Sequence, residues 1–237
     1  MEWHKQCKDL GIKTGFFDPN SEEELFKSKD LIEAVHKIRE TLENNSTLFI
    51  QGVAGIGKTT IHHYAKRLFK DEQTEIIESF HLGEVDRASD LYTSIPLSLR
   101  DDEYLTKKLA DRKDQAINEM KNSSADKFLY LIDNAELIEK SALSELLKFQ
   151  SENDLHLSIV LFGPTLNFDT NELEFFRLEG LSKNEKRKYF QLLNEKTKEK
   201  MPYSIPIDKV INRNTYFDII EAYVGYAWKV DQGIIEF

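Results

Sequence analysis

Long apolar runs are missing from this chain. No stretch approaches the roughly 20 residues that a bilayer span needs, so no membrane-crossing helix is expected. Cysteine is almost absent: Cys7 stands alone among 237 residues, which excludes an internal disulfide framework. Positive charge is in deficit, with 32 Lys and Arg against 42 Asp and Glu, a net charge of −10. That balance argues against a surface that grips nucleic acid all over, while leaving room for a local basic patch. The histidines lack metal-ligand spacing. His62 and His63 are adjacent on a predicted helix, point in different directions and read as surface residues. The start, Met1-Glu2-Trp3-His4-Lys5, has no secretory apolar core, and the expected location is the cytoplasm. Repeats and low-complexity tracts are also absent.

What is present is enough to build a core: 40% of the residues are hydrophobic. The length suits one large domain or two small ones. Gly52-Val53-Ala54-Gly55-Ile56-Gly57-Lys58-Thr59 fits G-x-x-x-x-G-K-[ST], the loop that wraps a nucleoside triphosphate. The β-prone run Thr47–Ile50 precedes it. Thr60 to Lys70 follows, with Ile61, Tyr64, Ala65 and Leu68 at helical spacing. Glycines let the backbone curl so that several N–H groups face one phosphate. The start of the next helix, with Thr60, adds a positive dipole end. Lys58 is expected to reach the β- and γ-phosphates, and the Thr59 hydroxyl to hold Mg²⁺.

Elsewhere, apolar periodicity sketches alternating elements. Residues 1–19 read as an irregular arm. A helix is expected from Ser21 to about Glu43, broken by Asn44-Asn45. Thr74–Phe80 reads as a strand and Asp101–Lys121 as a charged helix. Phe128–Ile132 and Leu157–Phe162 are continuous apolar runs, as in strands buried on both faces. Ala135–Phe149 reads as a helix, and Phe175–Leu178 as a short strand. Leu181–Lys200 reads as a helix opened by a capping box of Ser182 and Glu185. Pro202 and Pro206 mark a break, and 207–237 reads as a helical cap. The expected fold is α/β, a P-loop NTPase three-layer core with a parallel sheet over residues 20–201, plus a small helical lid at 202–237.

Asp133 ends the 128–132 run. A carboxylate at that strand end can accept hydrogen bonds from Mg²⁺-bound water, which makes it a second metal residue beside Thr59. The alternative is a helix N-cap. The next residue is Asn134, whose amide cannot act as a base. Glu136 is the nearest carboxylate for a catalytic part; first-turn placement on a helix dipole explains it equally well.

With these residues in view, the chain resembles AAA+ ATPases over roughly residues 16–237. Within them it is similar to the ExeA/GspA secretion-linked type and to the TniB and MuB transposition ATPases. Leu25–Leu31 is similar to the segment that lies near the adenine. Leu131-Ile132-Asp133-Asn134-Ala135-Glu136 resembles the Walker B stretch except at Asn134. Val160–Pro164 resembles the sensor 1 strand, with Thr165 or Asn167 as polar substitutes. Phe176–Ser182 is similar to the junction before the lid. Gly225–Val230 stands where the resemblance implies a sensor 2 arginine, and Lys229 is the nearest cation, hence a candidate nucleotide contact. No arginine finger is visible in Asn171–Phe176; Arg177 reads as a rim cation.

The resemblance implies ATP and Mg²⁺ as cofactors, Lys58, Asp133 and Glu136 as the catalytic set, and a homo-oligomer. A protein partner in a secretion, cell-envelope or mobile-element system is a further implication. The binding half is intact and the chemical half eroded, so the expected activity is slow ATP hydrolysis that switches or recruits a partner. The alternatives are an ATP-gated interaction module with negligible turnover and a DNA-bound regulator of the transposition type. Adenine is preferred over guanine, because no Asn-Lys-x-Asp motif is visible. The helix carrying Lys183, Lys186, Arg187, Lys188, Lys196, Lys198 and Lys200 suits nucleic acid or an acidic partner. Given the net charge, a solvated face laced with i,i+4 ion pairs is the preferred reading.

Overall fold

The computed structural model describes residues 2–12, 25–79, 87–99, 109–166, 173–198, 205–209 and 211–234. The sequence readings that fall on residues 13–24, Phe80, 101–108, Asn167, Asn171 and 199–204, among them Ser21, Lys200 and Pro202, lie outside them. Contacts divide the chain into two compact units. One comprises Glu33–Val53 and Ile61–Leu178; the other comprises Met1–Ile32, Ala54–Thr60 and Glu179–Phe237.

The first unit is built on five parallel strands: β1 (Thr47–Gln51), β2 (Thr74–Glu78), β3 (Lys127–Ile132), β4 (His156–Gly163) and β5 (Glu174–Arg177). Their order is β2-β3-β4-β1-β5. Continuous apolar sequence and continuous burial coincide in β1, β3 and β4, because parallel strands at a sheet centre are covered on both faces. On one face Phe49, Ile77, Phe128, Tyr130, Ile132, Ile159 and Leu161 pack against three helices. These are α4 (Ala88–Leu99), α5 (Leu109–Asn122) and α6 (Lys140–Glu152). On the other face Ser158 donates from Oγ to the Thr41 carbonyl of α2 (Lys29–Asn44), and His62 of α3 (Lys58–Phe69) sets its ring edge-on to Phe162.

Three local readings need correction. Residues 25–28 are not helical; α2 begins at Lys29, where Ser28 Oγ accepts from the Leu31 N–H at 3.2 Å. The helix expected over 135–149 is a 3₁₀ turn at Ala135–Leu137 followed by a separate α6. The break lies at Ile138 and Glu139, whose extended backbone separates the two, while Asn134 leads into the 3₁₀ turn with left-handed φ 50°, a region open to asparagine. Residues 2–9, read as irregular, form helix α1 (Glu2–Asp9).

In the second unit α1 lies against α8 (Tyr216–Asp231), with α7 (Lys183–Thr197) supplying Phe190 and Leu193 to the same core. Cys7, Ile12, Ile219, Tyr223, Val224 and Ala227 fill the rest. Reciprocal capping boxes fix where α7 and α8 start: Ser182 with Glu185, and Thr215 with Asp218. Trp228 donates from Nε1 to Asp9 at 3.1 Å, tying α8 to the end of α1.

Candidate functional site

The phosphate-loop motif leaves the sheet at the carboxyl end of β1. The Gly52 N–H donates to the Gly163 carbonyl at 3.0 Å, one residue beyond the strand pairing of Gln51 with Gly163. Val53, Ala54 and Gly55 are exposed, and Ile56 turns inward. Ile56 packs over the α-carbon of Gly180, where a side chain would stand 3.6 Å from it. Gly55 (φ 76°) and Gly57 (φ 114°) adopt backbone that L side chains avoid, which is the reason for glycine at both positions. Helix α3 opens on Lys58, two residues earlier than its apolar spacing predicts, and no acid occupies its first turn. Its leading N–H groups have no acceptor within the helix, and the helix dipole places partial positive charge there. Thr59 is exposed; Lys58 and Thr60 are half-buried.

The first turn of α8 sits directly on this loop. The Phe217 N–H donates to the Gly55 carbonyl at 3.4 Å. A Cβ on Gly55 would stand 2.8 Å from Phe217 Cβ and 3.0 Å from Thr215 Oγ1. The Tyr216 ring reaches to 3.5 Å from the equivalent point on Gly57. Together Gly55, Gly57, Lys58, Thr59 and Thr60 with Tyr216, Phe217 and Ile220 line a cleft of about 200 Å³. Tyr216 is held by Tyr189, which stacks edge-on at 5.2 Å, and by a side-chain hydrogen bond with Ser28. Burial pushes the Tyr216 phenol well above its usual range, so it remains neutral. Sequence reasoning missed these α8 residues. Their signal was the Thr215-x-x-Asp218 capping box, which marks a helix start.

Lys229 is elsewhere on α8. It lines a second cleft of about 360 Å³ with Arg213, Asp218, Glu221, Ala222, Gly225 and Tyr226.

Within the sheet unit, Asp133 follows β3 and is half-buried. It is not an N-cap: the residue before the 3₁₀ turn is Asn134, and Asp133 Oδ1 accepts from the Asn134 N–H at 2.9 Å. The 3₁₀ turn swings Glu136 across to β4, where its Oε2 lies 2.9 Å from the point a Gly163 Cβ would occupy. Pro164 accepts from Gln51 Nε2 at 3.0 Å through its carbonyl. Thr165 and Arg177 are exposed.

His62 corrects the surface reading of the His62-His63 pair. It is 7% exposed, its ring held edge-on by Phe162 and His63. Burial lowers its pKa below the usual imidazole value; the nearby charges of Asp133 and Glu78 oppose that shift, while His63 and Lys66 add to it.

Comparison with known proteins agrees with the P-loop architecture. A family model described as AAA domain (AAA_22) matches residues 39–170. Among solved structures, Cdc6p from Pyrobaculum aerophilum superposes with a TM-score of 0.64 at 15% identity, covering 94% of this chain and 67% of that one. AMPPCP-bound DnaA from Aquifex aeolicus gives 0.57 at 19% identity, covering 92% and 68%. The Aeropyrum pernix ORC1 protein in complex with DNA gives 0.61 at 10% identity, covering 88% and 62%. At these identities the likeness is one of fold, and this chain spans about two thirds of the length of those structures. No curated protein matches the sequence. Among the described residues no helix is long and apolar enough to cross a membrane.

Proposed function

The chain belongs to the AAA domain family, and from that premise we propose that it binds MgATP and acts as a nucleotide-dependent switch with slow hydrolysis. The residues fit a triphosphate: positive-φ glycines, a helix start with no acid in its first turn and Lys58 at its first position form a cradle for a polyanion. In this reading the backbone from Gly52 to Thr60 holds the phosphates, and Lys58 neutralises the β- and γ-groups. The Thr59 hydroxyl and Asp133 hold Mg²⁺, which would screen the phosphate charge. Glu136 orients and deprotonates the attacking water.

Two features favour a slow enzyme. Asn134, directly after Asp133, cannot accept a proton. The residues α8 offers the loop are Tyr216, Phe217 and Ile220, none of them cationic, so that side adds no charge to stabilise the transferring phosphoryl group. Lys229, on the second cleft, has no part in this reading.

The observation that carries the switch is the seating of α8 on Gly55. A phosphate-loop rearrangement on binding nucleotide presses on Thr215 and Phe217, and α8 in turn carries α1. The finer resemblance to ExeA/GspA and TniB/MuB ATPases points to a homo-oligomer with a partner in a secretion or mobile-element system.

The test uses the Trp3→Phe protein, which leaves Trp228 of α8 as the sole tryptophan. MgATP should shift Trp228 emission, and phosphate release should be slow but above that of a Lys58→Ala variant. A shift without turnover would leave a gated binding module. Identical behaviour of the two proteins in both assays would remove the proposal.

A further inference from the structure

Helix α7 is the one element singled out by sequence that the nucleotide site does not use. Its buried side, Phe190, Leu193 and Thr197, faces the core of the second unit. Its outward side is Lys183, Asn184, Arg187, Lys188, Gln191, Glu195 and, at the C-cap, Lys198, all exposed. Among the described residues none of Lys183, Arg187, Lys188 and Lys198 is drawn into a salt bridge. The helix's acid in the first turn, Glu185, is committed to the Ser182 N–H at 2.9 Å and the Lys29 N–H at 2.7 Å. Among the described residues Glu195 is the remaining acid on the outward side.

We propose that this face of α7 is a docking surface for the phosphate backbone of a nucleic acid. Charge complementarity supplies the first argument: among the described residues the face holds four cations against one acid, on a protein whose net charge is −10. Exposed charges farther than about 10 Å are screened at 0.1 M salt, so an approaching polyanion feels the local cations rather than the distant acids. The second argument separates nucleic acid from an acidic protein. Protein interfaces are anchored by buried aromatic and aliphatic side chains at their centre. The outward side of α7 has no apolar residue. Its neutral members, Asn184 and Gln191, are amides, which together with Lys and Arg are the side chains that contact phosphate oxygens. From Lys183 to Lys198 the row runs about 22 Å along the axis, at 1.5 Å per residue. Contacts to phosphate oxygens carry no sequence information directly, so the binding proposed is independent of base sequence.

Fluorescence anisotropy with a labelled 30-mer DNA duplex tests the idea. Four phosphate contacts predict a slope near −3.6 of log affinity against log salt, about a 150-fold loss between 50 and 200 mM. A Lys183→Glu/Arg187→Glu/Lys188→Glu variant should bind at least about 30-fold more weakly at 50 mM salt and lose about 3 from the slope. A control with the same change of net charge, Lys121→Glu/Lys140→Glu/Lys148→Glu, alters exposed positions on α5 and α6 and should bind as wild type. Circular dichroism and MgATP binding confirm that both triple variants are folded. Absence of binding at 50 mM, equal loss in both variants, or binding retained by the α7 variant would each overturn the proposal. Labelled poly-glutamate binding at α7 in place of the duplex would overturn it in favour of an acidic protein partner.

Discussion

Gly163→Ala should separate nucleotide binding from turnover. Gly163 closes β4, and its φ is not in the left-handed region, so alanine suits the backbone there. What alanine lacks is space. Its Cβ would stand 2.9 Å from Glu136 Oε2, against 3.4 Å from Phe49 Cε2 and 3.5 Å from the Ala135 nitrogen. The two latter contacts are tolerable. The first is about 0.5 Å inside the usual carbon–oxygen separation, so the carboxylate must retreat by about that much. A carboxylate tip moves cheaply, which puts the stability cost at the low end of overpacking, about 1 kcal/mol. For a chain of this size that is a fall of about 2–4 °C in Tm. Catalysis is more sensitive: displacing a reacting group by about 1 Å costs up to about 100-fold. Half that displacement predicts a fall of about 10-fold in kcat, about 1.4 kcal/mol of barrier. MgATP affinity by calorimetry should stay within about 3-fold of wild type. The assay is phosphate release from four proteins: wild type, Gly163→Ala, Glu136→Gln and the double variant. Because glutamine keeps the bulk of Glu136 and loses its basicity, Gly163→Ala should cost nothing further in the Glu136→Gln background. Wild-type turnover in Gly163→Ala, with Glu136→Gln inactive, would refute the packing argument. An active Glu136→Gln would refute the role given to Glu136.

Three other outcomes follow from the same geometry. Gly55→Ala places a side chain at φ 76° and 2.8 Å from Phe217 Cβ, so about 1–3 kcal/mol of stability and most MgATP binding should be lost, read by thermal melts and calorimetry. His62 has a lowered folded pKa, so the unfolded chain takes up its proton first as pH falls. Its contribution is full above about pH 6.5 and is lost below it, by at most about 1.4 kcal/mol per pH unit. Melts between pH 7.5 and 5.5 should therefore show a shallower decline in Tm for His62→Leu than for wild type. Thr215→Ala removes the Thr215 half of the α8 capping box, with Oγ1 at 3.1 Å from the Asp218 nitrogen, and should cost about 1 kcal/mol in the same melts.

The parts that were legible in sequence are those where one local signal decides. The phosphate loop is a fixed spacing of glycines and a lysine, and β1, β3 and β4 are unbroken apolar runs because both their faces are covered. Helix α4 was not legible, since Pro96 stands inside it and its serines and threonines mask the face that buries Leu91, Tyr92 and Ile95. Asn134 was legible as a missing base but not as a left-handed residue: positive φ in asparagine is set by its surroundings. The approach of Tyr216 and Phe217 to Gly55 and Gly57 joins residues about 160 positions apart, and no periodicity encodes that. Likewise, Gly163 reads as a strand-end glycine until Glu136 is seen occupying the space a side chain would fill.

The clasp between α1 and α8 makes the two sequence extremities mutually dependent. Cys7 and Ile12 are sealed because Ile219, Tyr223, Val224 and Ala227 share one core with them. Trimming the first dozen residues to obtain a tidier protein would therefore strip a greasy flank from the helix that braces the phosphate loop. The shortened chain would self-associate and answer poorly to nucleotide, and both defects would trace to one missing helix.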